Sequence, residues 1–439
     1  MEYHALSDVG LRRASNQDAY AVHVATTDHA WAQRGHLFVV ADGMGAHAAG
    51  ELASKMAADT VPLTYEKLRS EPPPMALRHA IEKANDVINT RGEAHAEFHG
   101  MGTTVSTLVL LPQGAIVGHV GDSRVYRVRH HRLDQLTFDH SLVWEMSIGA
   151  GLREEDLPAY VPKNVITRSL GPSAQVQVDL EGPFPLAAGD VFMLCSDGLS
   201  GQVKDEEIGV ILDVLSAREA AAALVDLANL RGGPDNITTI VVRAGEAETT
   251  ASVVPDWGSE AMPTSGRRST ASWSWSRGLS AGGAIAGAAA TLACLVAGQL
   301  VAAAVCGLAT VGLGLRLVLG VATREGQSDT AEPDEEIPHG ALGRGPYRSY
   351  KCEASAEMAV SLSRVVQQLR DAAVEETWRI DWDAFSRLND AATAALGKKK
   401  YRQAIRDFCR AMSFMMNELR HQNESASPQR STSSDDATS

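Results

Sequence analysis

Apolar positions follow two rhythms along this chain, and the change between them divides it. Up to about residue 245, short apolar runs read as strands: Leu37 to Ala41, then 103–111, 115–121, 123–129, 191–195 and 236–243. Between them, stretches at about 48–69, 75–94 and 216–230 carry helical spacing. The last opens on Ser216 with Glu219 three residues on, the spacing of a capping box. The segment 103–129, interrupted by Pro112-Gln113-Gly114 and by Gly121-Asp122, reads as an antiparallel meander. Strands pairing with sequence neighbours, with helices set between groups of them, predict a mixed sheet-and-helix fold rather than a doubly wound parallel sheet.

The first domain therefore spans 1–245. Residues 246–277 turn to Ser, Thr, Pro and Ala, a linker composition. From Gly278 to Leu315 no residue is charged, and a single helix of that length would extend about 57 Å against about 30 Å of bilayer hydrocarbon. Within 278–322, two spans turning at Gly298-Gln299 fit that thickness better than one, with a single span as the alternative and a buried soluble hairpin as the non-membrane reading. Arg267, Arg268 and Arg277 precede the run and Arg316 and Arg324 lie at or beyond its end, which sets both flanks, and the first domain with them, on the cytoplasmic side of the cytoplasmic membrane. Residues 323–345 form an acidic linker. The next stretch, 346–422, is helical and amphipathic, and the spacing of Ala404, Phe408 and Ala411 resembles the second helix of a tetratricopeptide repeat, so the region reads either as a bundle for a protein partner or as a dimerising or capping bundle. A Ser/Thr/Asp-rich tail, 423–439, has the composition of disorder.

Composition narrows the function. A formal net charge of -14 argues against a nucleic-acid binder. The five cysteines are scattered, so neither a disulfide framework nor a zinc site is indicated, and Cys195 inside a strand reads as core. The N-terminus has no basic region followed by an apolar run that would mark it for export.

The candidate chemistry is acidic. Asp42 ends the apolar run at 37–41 and is followed by Gly43, whose missing Cβ leaves the backbone approachable. Asp8 and Asp18 lie in SDVGLRRASNQD, Asp122 in GDSR, Asp197 in CSDG and Asp235 in GGPDN. Each alone reads as a turn. Together, acids at strand ends repel unless a cation neutralises them, and an all-oxygen set suits Mg²⁺ or Mn²⁺ better than zinc.

SDVGLRRASNQD, VVADGMGAHAAGE, MGTTVS, GHVGDSRVYRV, LTFDHSLV, ITRSLG, LCSDGLSG and GGPDNITTIVV occur in the order and spacing of the PPM family of metal-dependent Ser/Thr protein phosphatases, the type 2C class in its bacterial form, which residues 3–243 resemble. The resemblance implies an α+β fold, a four-layer α-β-β-α sandwich of two antiparallel sheets flanked by helices, and a centre of two Mg²⁺ or Mn²⁺ ions with room for a third. It implies that Asp42 bridges the two ions, that the Gly43 carbonyl ligates one, that Asp197 and Asp235 complete the first ion's shell, that Asp18 acts through water, that Asp122 holds the third ion, and that Arg13 grips the substrate phosphate. A fork of guanidinium donors suits that last task. The activity implied is hydrolysis of phosphoserine and phosphothreonine on targets of Ser/Thr protein kinases, by attack of a water activated between the metals, without a covalent intermediate.

Some positions depart from the family pattern. Gln17 stands where many members carry Glu, and Ala46 where Gly is usual, with His47 beside it. Met44 replaces a His that eukaryotic relatives use as a proposed general acid. Residues 140 to about 170 correspond to a flap beside the active site. The expected protein is a membrane-anchored Ser/Thr protein phosphatase; a phosphoprotein-binding membrane scaffold or sensor without turnover is the alternative.

Overall fold

The structure is a computed structural model that describes residues 1–45, 48–150, 157–158, 160–162, 165–246 and 342–426, with the side chains of 149–150 and 423–426 excepted. The linker at 247–277, the apolar segment expected at 278–322, most of the second linker, Ala46, His47 and the tail from 427 lie outside the described residues. Among the described residues no helix is long and apolar enough to cross a membrane.

Twelve strands form two antiparallel sheets among the described residues. The first sheet runs β1 (Glu2–Asp8), β11 (Ile237–Arg243), β10 (Val191–Cys195), β7 (Arg124–Arg129), β8 (Arg132–Gln135), β12 (Arg348–Lys351); the second runs β2 (Asp18–His23), β3 (His36–Met44), β5 (Val105–Leu111), β6 (Gly114–Val120), β9 (Asp179–Phe184), with β4 (Gly102–Thr103) paired to the end of β3. Period-two alternation makes the layers. In β3, Phe38 and Val40 meet Phe192 and Leu194 of β10 and Ile240 and Val242 of β11 between the sheets, while Leu37, Val39 and Ala41 face α2 (Ala49–Lys67) and α3 (Pro73–Ala94). Burying each such aromatic side chain contributes about 2 kcal/mol before entropy.

A short helix α1 (Asp28–Gln33) joins β2 to β3, and α4 (Leu142–Ala150) follows β8. On the outer face of the first sheet lie α5 (Asp197–Ser200), α6 (Asp205–Val214) and α7 (Ala217–Leu230). The predicted box at the start of α7 is present: Glu219 accepts from the Ser216 amide at 3.2 Å, and Ser216 Oγ accepts from the Glu219 amide at 3.4 Å.

Two expectations change. The segment 103–129 is not one meander: β5 and β6 pair in the second sheet, but β7 crosses to the first and pairs with β10 and β8. Gly121, at φ +117°, makes the crossing. Asp122 is thereby carried to the seam between the sheets.

The second change concerns 346–422. The stretch begins not as helix but as β12, an edge strand on β8. Ahead of it, the end of the expected linker is already anchored, for Leu342 N donates to Gly182 O at 2.7 Å and Gly345 N to Glu181 at 2.8 Å. The helices that follow, α8 (Ala356–Glu375), α9 (Trp382–Gly397) and α10 (Tyr401–Ala426), bury Leu362, Val366, Phe385, Phe408 and Met412 in the same cluster as Ile208, Ile211 and Leu224 of α6 and α7. Ala404, Phe408 and Ala411, singled out for their repeat-like spacing, are fully buried there. The region thus caps the first domain's helical face within one compact unit.

Candidate active site

Asp42 is set by its backbone. Its amide donates to Thr104 Oγ1 at 3.0 Å, and its carbonyl accepts from Thr104 N and from Thr103 Oγ1, both at 2.8 Å. In the β2/β3 register Asp18 stands directly opposite Asp42. Asp122 follows β6 at the crossing, Asp197 opens α5 after β10, and Asp235 precedes β11. Five chain segments from both sheets therefore deliver one carboxylate each to the same end of the sandwich.

Their electrostatics show the convergence. Part of the Asp42 surface is open to solvent, yet its carboxyl pKa stands well above the usual range, first through burial and then through the negative charges of Asp18, Asp197, Asp122 and Asp235. Burial pushes Asp18 up to about 7, with hydrogen bonds from Ser196 and Thr238 opposing and Asp197 and Asp235 adding to the rise. Asp122 is pushed up to about 8, again by burial first, then by Asp197 and Asp139 against the pull of Arg124. Asp197 is raised by burial and by Asp235.

Arg13, half-exposed, donates to Asp235 Oδ2 at 2.6 Å, which places the expected phosphate-gripping cation at the rim of the cluster. Asp8 is not part of the cluster. It accepts from Gly10 N at 2.8 Å and its other oxygen lies 3.8 Å from Arg420 of α10, so it shapes the start of the Arg13 loop from the opposite side.

Gly43 has a packing reason beside the one the sequence suggests. A Cβ there would stand 2.1 Å from Gly50 O and 2.5 Å from Gln17 O, so glycine lets the first turn of α2 and the Gln17 backbone close on β3. Gln17 contributes through that backbone: its carbonyl accepts from Gly43 N at 3.1 Å and its amide donates to Asn236 at 2.8 Å.

Several residues that hold the acids were not singled out from the sequence. Ser196 Oγ donates to Asp18 Oδ2 at 2.7 Å and accepts from Thr238 N at 3.0 Å, tying the second sheet's acid to the first sheet. Asn236 donates to the Val9 and Ser15 carbonyls at 2.8 and 3.0 Å, which fastens the Arg13 loop beside Asp235. Arg124 Nε reaches Asp139 at 2.7 Å. All sit next to a named acid or inside a quoted motif, and that adjacency is the signal that could have found them. Cys195 is fully buried, its thiol pushed up to about 12 by burial, as a core residue rather than a nucleophile.

The residues fit divalent cations. Asp18 Oδ1 and Asp122 Oδ1 are buried oxygens without a hydrogen-bond partner, and the donor set is all oxygen. Among the described residues no three His, Cys, Asp or Glu side chains are already gathered as a metal-holding group.

Two antiparallel sheets flanked by helices, with acids converging at one end and an arginine at its rim, define a phosphatase of the metal-dependent class. The family described as Protein phosphatase 2C matches residues 12–229. Protein phosphatase PhpP of Streptococcus pneumoniae is 35% identical, over 56% of this chain and 99% of the relative, and Serine/threonine phosphatase stp of Listeria monocytogenes is 37% identical, over 47% and 83%. Among solved structures, the Mycobacterium tuberculosis serine/threonine phosphatase PstP/Ppp matches with a TM-score of 0.50 at 33% identity, covering 56% of this chain and 99% of that one. The chain belongs to the PP2C-type, or PPM, family of metal-dependent Ser/Thr protein phosphatases.

Proposed function

We propose that this chain is a membrane-anchored Ser/Thr protein phosphatase that uses Mn²⁺ or Mg²⁺ at the acid cluster to hydrolyse phosphoserine and phosphothreonine on targets of Ser/Thr protein kinases. The observation that carries the reading is the cluster itself: Asp18 and Asp42 face each other across the β2/β3 register, Asp18 is tied to Ser196 beside Asp197, and Arg13 reaches Asp235 at the rim, with burial first and neighbouring acids second holding the Asp18, Asp42, Asp122 and Asp197 carboxyls above their usual range. When bound, two divalent ions supply Lewis acidity that lowers the pKa of water and neutralises phosphoryl charge. Asp42, at the centre, would hold both ions, and the Gly43 carbonyl, Asp197 and Asp235 would hold one of them. Asp18, held by Ser196, acts behind Asp42. Asp122 would hold a third ion. The Arg13 guanidinium, engaged at one nitrogen by Asp235, has further N–H groups with which to fix the substrate's phosphate in line.

The test is Mn²⁺-dependent release of phosphate from a phosphothreonine peptide by the full chain. Absence of turnover, or turnover undiminished in Asp197→Ala, would sink the reading.

The anchor rests on the uncharged run from Gly278 to Leu315 with arginines on both flanks. The protein is expected in the membrane fraction after carbonate washing, with the catalytic domain and the 346–422 region both open to protease from the cytoplasmic side. Recovery in the soluble fraction argues against an anchor.

A further inference from the structure

The family match ends at residue 229, yet the edge strand of the first sheet, β12, comes from residues 348–351. Alternation in that strand puts Arg348 and Tyr350 on one face. The Arg348 guanidinium lies 3.7 Å from the ring centroid of Trp144 in α4 and reaches Ser147 Oγ, one turn further along, at 3.4 Å. Trp144 is fully buried and its indole N–H has no hydrogen-bond partner, so what holds the ring is packing: Arg348 on it, Phe138 edge-on at 5.7 Å, and the Arg124 guanidinium at 5.7 Å.

Arg124 leads back to the site. It lies two residues after Asp122, pairs with Asp139 at 2.7 Å and stands 3.6 Å from Asp205, which also accepts from Tyr126 at 2.6 Å. The backbone closes the same corner, His140 N donating to Gly121 O at 2.7 Å. An unbroken line of contacts therefore runs from Arg348 through Trp144, Arg124 and Asp139 to the turn that presents Asp122.

We infer that Arg348 is a positioning residue for the Asp122 arm of the site: a cation supplied from beyond the apolar segment that holds Trp144, and through it Arg124 and Asp139, in register with the acid cluster. The inference rests on the phosphatase reading of that cluster. It makes the C-terminal strand part of the catalytic unit rather than an appendage to it.

Two variants of the full chain test it. Arg348→Met keeps length and apolar contact but removes the charge, and Arg348→Lys keeps a charge. In Arg348→Met, amides of α4 are expected to exchange with deuterium about tenfold faster than in the wild type, while those of α7 are unchanged. The Mn²⁺ concentration for half-maximal hydrolysis of a phosphothreonine peptide should rise about fivefold, with kcat at saturating Mn²⁺ changed less than about twofold. Arg348→Lys should restore a large part of both. Unchanged α4 exchange in Arg348→Met overturns the inference, as does acceleration in α7 equal to that in α4, which would mark a general loss of stability. If the wild type itself does not turn over, the phosphatase reading fails and the inference with it; if it does turn over and Arg348→Met speeds α4 exchange without raising the half-maximal Mn²⁺ concentration, Arg348 merely holds α4 and the inference is overturned.

Discussion

Burial raises the carboxyl pKa of both Asp42 and Asp226, and the two differ in what stands beside them. Asp226, on α7, is raised by burial, but the next influence is the Arg420 guanidinium from α10, which pulls it back. For Asp42 the next influence after burial is another acid, and so are the three after that. The same contrast holds across the molecule. On the face covered by the C-terminal helices and along the first sheet, Asp134 meets Arg127 at 2.7 Å, Glu207 meets Arg231 at 2.7 Å and Glu219 meets Arg410 at 2.8 Å. At the acid cluster, Arg13 reaches only the rim. A fold that pairs its acids in one region and stacks them against one another in the other reserves the second region for charge from outside.

The most drastic way to break that contrast is Asp42→Asn. Hydrolysis should fall on the order of 10³-fold at any Mn²⁺ concentration, because the group central to ion binding is gone. The metal-free protein should become more stable, since a mutually repelling charge has been removed. Activity assays beside thermal unfolding in EDTA read both signs, and an Asp42→Asn protein less stable than the metal-free wild type would contradict the account.

Much of this was legible in the sequence because short motifs and apolar runs are local. The strand that carries Asp42, helices α2, α3 and α7, and the six acids were all visible, although that strand runs on to Met44, and five of the acids converge. Asp8 does not, because a fragment such as SDVG cannot say which way a turn faces; Gly10 N and Arg420 decide it. The crossing at Gly121 was hidden because β7 has the same alternation whichever sheet it joins. The strand β12 was missed for a related reason. Arg348-Ser349-Tyr350-Lys351 is four mostly polar residues, suited to an edge but without an apolar run, and only the partner β8 makes it a strand.

Next in size is the effect of pH on the metal-free protein. Asp18 and Asp122, pushed up to about 7 and 8, bind protons in the fold that they release in the unfolded chain above about pH 4. Their contribution is therefore complete below about pH 4 and is lost as pH rises through 7 to 8, at up to about 1.4 kcal/mol per unit for each group. In EDTA, stability should fall by a few kcal/mol between pH 5 and 8. Saturating Mn²⁺ should remove most of this slope, whereas Asp18→Asn with Asp122→Asn should remove a part of it, because Asp42 and Asp197 are raised as well. A residual slope remains from Glu181, outside the cluster, which burial raises to about 7 against the hydrogen bond from Tyr347.

The paired region breaks differently. Arg420→Ala leaves Asp226 buried without its cation and should cost about 3 kcal/mol in urea unfolding, somewhat less because Arg420 is one-third exposed. Asp226→Asn in the same chain should recover most of it. Turnover at saturating Mn²⁺ should be nearly unaffected unless release of Asp8 loosens the Arg13 loop, which would appear as a raised KM.

The smallest effect separates the two cationic tasks within the site. Arg13 is half-exposed and its pair with Asp235 is partly solvated, so the pair itself adds little stability. Removing it in Arg13→Ala should weaken phosphopeptide binding, raising KM roughly 10- to 100-fold, the range for losing hydrogen bonds to a charged group. Arg13→Lys should recover only part, for an ammonium cannot present two parallel donors. Mn²⁺ binding measured by calorimetry without substrate should be unchanged or tighter, since Asp235 loses a competing cation. If Arg13→Ala instead weakens Mn²⁺ binding, the arginine belongs to the scaffold that holds the acids in place, and the division between a metal-facing centre and a substrate-facing rim fails.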